Sequence, residues 1–210
     1  EEVIVSASRI SQPTSEISSN VARISGDTLN LISHTHINEA LQRVSGAWIS
    51  RGNGQEHLTA LRSPVLTGAG GCGAFLMAQD GIPLRASGFC NVNELFDANS
   101  EQAGAIEVIK GPASALYGSN AMHGLINILT PSVEAEDRLS IGAEFGPHDY
   151  FRTKFTANYA DLRVDLNGTS DGGYKNDSGY DQQKATIGYA GEMGGFGAIA
   201  TLGFSNLNQE

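Results

Sequence analysis

Cys72 and Cys90, His34 and His36, and the glycine run Gly68-Ala69-Gly70-Gly71-Cys72-Gly73 are the residues whose types and spacing could do chemistry. In an oxidising compartment the two cysteines would form a disulfide, whose loop contributes roughly 3 kcal/mol in the chain-entropy model; otherwise they are two buried thiols. His34 and His36 stand at i, i+2, which suits a solvated pair better than a metal site. The glycine run satisfies G-x-G-x-x-G after an apolar Pro64-Val65-Leu66-Thr67, the form of a dinucleotide-binding turn. Its surroundings speak against that use. The chain reaches the turn Asp80-Gly81-Ile82-Pro83 too soon for a helix, no strand ends in an acidic residue about 20 positions on, and no βαβ rhythm follows. G-x-S-x-G, Walker A, HExxH and CxxC patterns are absent, so neither an enzyme nor a bound cofactor or metal is expected.

The elements that must position these residues are β-rich. Only 17% of the 210 residues are charged and 26 are Gly, which fits neither a disordered chain nor an ordinary helical enzyme. A net charge of −10 without a basic patch argues against nucleic acid as a partner. No run of about 18 apolar residues marks a membrane helix, although membrane-spanning strands would escape that test. The chain is expected to start as a mature protein does after removal of an export signal.

Residues 106–130 organise the chain. Ile106-Glu107-Val108-Ile109 and Leu125-Ile126-Asn127-Ile128-Leu129 read as strands around a Gly- and Ser-rich turn, in which Pro112 starts a helical turn at Ser114-Ala115-Leu116. Upstream, residues 38–44 have the apolar spacing of a short helix capped at Gly46, followed by a strand at 47–51. After Pro131 the charged stretch 134–138 marks a boundary. Beyond it the pattern has period two: Leu139, Ile141, Ala143 and Phe145, then Phe151, Thr153, Phe155, Ala157 and Tyr159, then Leu162, Val164 and Leu166 share faces, continued more loosely at 185–189 and 196–204. Phe145, Phe151, Tyr159, Tyr189, Phe196 and Phe204 fall near expected strand ends, as an interfacial aromatic girdle requires. Short connections at 160–161 and 191–195 contrast with a long polar one at 171–182. A soluble antiparallel sheet with one wet face would show the same alternation, and periodicity alone does not choose.

The stretch 106–128 resembles the pattern IEVxRGPxSALYGxxAxGGxINI of TonB-dependent outer-membrane receptor plugs, with Lys110 in place of Arg and His123 in place of a small residue. Lys110 keeps the charge and loses the planar fork. Residues 38–51 resemble the family's xxALxxxxGVxVxR, 58–63 its IxIRG with Ser63 for Gly, and 75–84 its vxvDGxPl.

The resemblance implies an α+β plug domain followed by antiparallel β-strands of an incomplete transmembrane β-barrel, divided as a TonB box and linker (1–20), a plug (21–133) and the first barrel strands (134–210). Five strands cannot close around a plug, which takes about 22, so the chain is expected to be the N-terminal part of a longer receptor. Glu2, Val3, Ile4, Val5, Ser6 and Ala7 would be the TonB box, joining the TonB energy-transducing complex by β-augmentation. Arg62, Arg85, Phe89 and Asn91 would face substrate from loops, with Cys72 and Cys90 pinning two of them together. Implied partners are TonB, a small-molecule or metal-chelate ligand such as an iron chelate or cobalamin, and outer-membrane lipid; the implied place is the outer membrane, plug towards the periplasm. A soluble β-rich binding or adhesion module is the competing class.

Overall fold

The computed structural model describes residues 3–7, 10–63, 75–84, 94–133 and 136–209. The N-terminal body starts with strands β1 (Val3–Ile4), β2 (Gln12–Pro13) and β3 (Val21–Ser25), then helices α1 (Gly26–Ile32) and α2 (Ile37–Leu41). Ser25 caps α1, its Oγ accepting from the Thr28 amide at 3.2 Å, and Ser33 ends it in the left-handed region at φ 47°. His36 caps α2 through Nδ1, which accepts from the Asn38 amide at 3.0 Å. α2 stops at Leu41, short of the 38–44 read from the sequence, and residues 42–46 turn into the hairpin of β4 (Ala47–Arg51) and β5 (His57–Leu61).

Strands β6 (Phe75–Gln79), β7 (Ile82–Pro83) and β8 (Ala105–Lys110), helix α3 (Ser114–Tyr117) and strand β9 (Gly124–Leu129) complete the body. Its central sheet has the order β3-β8-β9-β6-β7, with β6 and β9 parallel and the other pairs antiparallel. One face packs Ile106, Val108, Ile126 and Ile128 against Leu29, Leu41 and Leu61; the other packs Ile109 and Leu125 against Leu76, Ala113 and Ala121. Burial on both faces is why β8 and β9 read as near-continuous apolar runs rather than alternating ones. Gly124 is required where it stands: its φ is +151°, and a Cβ there would lie 2.2 Å from the Ile109 carbonyl.

Five strands follow as an antiparallel meander: β10 (Arg138–Phe145), β11 (Phe151–Tyr159), β12 (Leu162–Asp171), β13 (Tyr180–Met193) and β14 (Phe196–Gln209). β12 and β13 extend into the stretch expected as a long loop, leaving only 172–179 between them, and the 191–195 connection tightens to Gly194-Gly195. The sheet is amphipathic in the inverted sense. Arg152, Asn158, Asp165, Asn167, Gln182 and Lys184 are buried, whereas Leu139, Ile141, Leu166, Leu202 and Phe204 are exposed. In register, Ile141-Phe155-Leu166-Ala185-Phe204 and Leu139-Ala157-Val164-Ile187-Leu202 form two apolar rows across all five strands. A soluble sheet would bury those rows; a membrane-spanning wall turns them to lipid.

The apolar band crosses the strands obliquely. Phe145 and Phe151 mark its edge on β10 and β11, but the same row on β13 is Asp181, and apolar side chains resume at Ala185. That step of about 13 Å over three spacings of about 4.8 Å is a slope near 45°, close to the strand tilt of membrane barrels, about 35–45°. Tyr159, Leu162 and Tyr189 share one row at the opposite boundary, and Phe196 on β14 lies beyond it. Tyr189 and Phe204 therefore sit inside long strands rather than near their ends, a departure from the expected girdle that the tilt explains.

Candidate functional site

The back of the central sheet carries a polar cradle. Glu107 in the middle of β8 is buried, beside Arg23 with Nε 3.7 Å from its carboxylate, and pairs in register with Asn127 of β9. The N-terminal segment lies in this cradle. The Val5 amide donates to both Glu107 oxygens at 3.1 Å and the Ser6 amide to Oε2 at 2.7 Å. Asn127 Nδ2 donates to Ser6 Oγ at 2.8 Å while its Oδ1 accepts from the Gly81 amide, and the Tyr117 hydroxyl donates to the Ser6 carbonyl at 2.8 Å. Ile4 is fully buried, Val3 and Val5 are 39% exposed, and β1 pairs with β2. Hydrogen bonds to a charged group contribute about 1.5–3 kcal/mol each. The cradle therefore grips mainly the main chain of Val5 and Ser6, as an extended strand is held by an added partner, and adds the Ser6 hydroxyl. Sequence reading missed Glu107 and Asn127 as functional residues. The signal was present: two polar residues in the middle of otherwise apolar runs, on the same side of a hairpin-like pair.

A second polar region joins body to wall. Arg152 of β11 donates from Nη1 to the His34 carbonyl, from Nη2 to the Ser33 carbonyl at 2.9 Å and to Glu144 from Nε at 3.0 Å. Lys184 of β13 meets Glu101 of the body with Nζ 3.0 Å from both carboxylate oxygens, and Gln102 and Gln182 reach the backbone carbonyls of Phe155 and Phe96. Burial alone would push the Glu101 carboxyl up, but Lys184 holds it below the usual carboxylate range. The ion pair is thus a fixed contact at neutral pH.

His34 and His36 are corrected by the structure: both are buried, not solvated. His34 Nε2 is 3.0 Å from Ser100 Oγ, and His36 meets the His57 ring edge-on at 5.6 Å. Burial pulls the His34 imidazole down to about 4 and the His36 imidazole to about 3, so both are neutral at pH 7. Ser100, His34 and Glu101 superficially suggest a nucleophile with its base, but all three are buried and Lys184 engages the carboxylate. Among the described residues no cluster of three or more His, Cys, Asp or Glu could hold a metal ion.

Residues 13–125 match the family model of the TonB-dependent Receptor Plug Domain. The chain belongs to this family. A curated relative, the vitamin B12 transporter BtuB of Vibrio vulnificus (strain CMCP6), is 28% identical over 183 residues, covering 85% of the chain and 28% of the relative. The chain thus spans little more than a quarter of that protein's length. The pyoverdine outer membrane receptor FpvA from Pseudomonas aeruginosa PAO1, solved bound to pyoverdine, matches with a TM-score of 0.69 at 14% identity, over 98% of this chain and 30% of that one. The siderophore receptor PiuA from Acinetobacter baumannii matches with a TM-score of 0.66 at 22% identity, over 93% and 27%. At these identities the two structures establish a shared fold.

The body is accordingly a plug, and the inverted sheet is part of the barrel wall around it. Of the residues expected to face substrate, Arg62 is described: it has φ 49°, ends β5, packs its stem on Gly46 and donates from Nη1 to the Lys110 carbonyl at 2.7 Å. Arg85, Phe89, Asn91, Cys72 and Cys90 lie outside the described residues, as does Glu2 of the N-terminal segment. A concavity of about 690 Å³ opens instead between the plug and the wall loops, where Thr35 and Arg51 face Glu144, His148, Tyr150 and Tyr174. Its cationic and aromatic lining comes from three separate stretches of sequence, which is why no local motif announced it.

Proposed function

We propose that this chain holds the coupling segment, the plug and the first wall strands of a TonB-dependent outer-membrane transporter, which takes up a scarce ligand such as an iron chelate or cobalamin. One observation carries the reading: the wall buries its polar face on the plug and turns its apolar rows outward, an arrangement that is stable only with lipid on the outside. The same observation disfavours a soluble binding or adhesion module, for which the exposed rows would be an aggregation liability. The vitamin B12 and siderophore relatives support the ligand class, and the Arg51, Tyr150 and Tyr174 concavity is a suitable place for it, alongside Arg62, Arg85, Phe89 and Asn91.

In this reading the division is 1–20 for the coupling segment and linker, 21–133 for the plug and 134–210 for wall strands. The tight connections at 160–161 and 194–195 face the periplasm, and the longer ones at 146–150 and 172–179 face outward. Glu2 to Ala7 supply the strand to which TonB adds, so that pulling on it is transmitted to the plug. The test is Val5→Pro, which removes the main-chain donor at position 5. Ligand binding to cells should persist while energised uptake of labelled ferric siderophore or cobalamin is lost. Normal uptake by this variant would show that residues 2–7 are not the coupling strand.

A further inference from the structure

The lipid-facing side of the wall is not uniformly filled. A groove of about 400 Å³ runs across its outward face, lined by Ile141, Phe155, Leu166, Gly168, Ala185 and Phe204. Two small residues make it. Ala185 stands in register between Leu166 and Phe204, and Gly168 lies in the next outward row beside Thr153 and Gln183. A Cβ at Gly168 would meet only Thr153 Oγ1, at 3.4 Å, so the backbone does not need glycine there to avoid a clash. Glycine within a strand weakens it and often marks the close approach of another molecule.

The groove ends in polar residues of a particular kind. Gln183 and Asn206 are hydrogen-bonded, Asn206 Nδ2 donating to Gln183 Oε1 at 2.7 Å, and both are exposed. That bond leaves the Gln183 amide donors and the Asn206 carbonyl for another partner. Ser170, Asp181 and Asn208 occupy the following outward row. These two outward rows contain no Lys or Arg; Lys154 and Lys184 also line the groove, but their ammonium groups turn to the inner face, where they pair with Glu144 and Glu101. A phosphate would find no counter-charge and would meet Asp181, whereas amides and hydroxyls would find matching donors and acceptors. The apolar band surrounding the groove is the surface that meets hydrocarbon, so the groove is continuous with an interface where the occupant is lipid.

We propose that this groove between β11 and β14 is a binding site for one acyl chain of a membrane amphiphile whose headgroup offers amide or hydroxyl groups to Gln183 and Asn206. The inference rests on the wall being membrane-embedded, and its test separates the two. The protein is extracted from outer membranes in mild detergent and examined by native mass spectrometry, as wild type, Gly168→Phe, and the double variant Gln183→Leu, Asn206→Leu. The wild type should retain one amphiphile, identified on fragmentation as an N-acylated or hydroxyl-bearing species. Phe at 168 fills the groove, and both variants should lower occupancy roughly tenfold. Equal occupancy in wild type and Gly168→Phe, retention of detergent only, or retention of an anionic phospholipid indifferent to the double variant would overturn the site. A heat-dependent shift in gel mobility shared by all three proteins shows that the barrel is folded. Release of the wild type from cells without detergent would count instead against the membrane reading.

Discussion

Glu107 is the residue on which the N-terminal segment depends. It accepts the amides of Val5 and Ser6 from a buried position, so these donors are engaged and unavailable to an added strand. Glu107→Gln keeps the shape and loses the charge, so the bonds from the Val5 and Ser6 amides lose their charge assistance, and the amide NH2 that takes the place of one carboxylate oxygen cannot accept. We expect residues 3–7 to be cut faster by a protease added to the periplasmic face, and to bind the periplasmic domain of TonB more tightly by about tenfold; unchanged cleavage would remove Glu107 from this role. His34 answers to pH instead. Its folded value of about 4 lies below the ordinary 6.5, so the unfolded plug takes up this proton first as pH falls. Stability from this group is therefore full above pH 6.5 and is lost between 6.5 and about 4. The loss approaches roughly 3 kcal/mol for so buried a group. Amide hydrogen exchange in α1 and α2, measured from pH 7 to 4, should show that decline, and His34→Gln should lessen it, the rest coming from His36, which burial also holds low.

At the scale of elements, the wall strands depend on which face each side chain takes. Leu166 stands in the outward row Ile141-Phe155-Leu166-Ala185-Phe204 near the middle of the band. Leu166→Arg puts a charge into hydrocarbon and should cost about 2–4 kcal/mol, whereas the same change on the inner face would meet polar groups of the plug. Denaturant unfolding of the barrel in detergent or lipid checks this, and a loss under half a kcal/mol, roughly, would mean that the row does not face lipid. Within the plug, β8 and β9 bury both faces and still carry Glu107 and Asn127. The polar pair is affordable only because Val5, Ser6 and Gly81 satisfy it.

For the whole molecule, the plug is tied to the wall through residues 33–36 and 94–102, while the N-terminal segment lies on the opposite sheet face near Glu107 and Tyr117. In the proposed coupling, force applied at residues 3–7 would thus reach β8 and β9 before the contacts of Arg152 and Lys184. Arg152→Met leaves the carbonyls of Ser33 and His34 without their donor and Glu144 with Lys154 as its cation, and each buried acceptor left unsatisfied costs about 1–3 kcal/mol. Faster hydrogen exchange across 26–41 in that variant, with the cradle around Glu107 unaffected, is the expected outcome. Uniform loosening of the entire plug would mean that the two ends are not mechanically separate.

What the sequence determined by itself was local and periodic. Residues 106–129 spell strand, turn and strand because their β-formers flank Gly111, Pro112 and Gly118, and the alternation after residue 138 spells paired strands. The direction of that alternation was not legible, since period two is the same whether a sheet faces water or lipid. Only the tertiary structure decided it, by laying the Arg152, Asp165 and Lys184 face against the plug. Strand lengths, too, were misjudged around 171–182, where cross-strand pairing with β14 and a covered polar face hold residues of loop-like composition in β13. His34 and His36 looked solvated because two polar residues in isolation do. His34 meets Ser100, 66 residues away, and His36 packs on the His57 ring, and such contacts leave no trace in local spacing. The cradle is the intermediate case: Glu107 and Asn127 stood out as polar residues in apolar strands, but what they bind was set when the fold brought Val5 and Ser6, more than 100 residues earlier, against them.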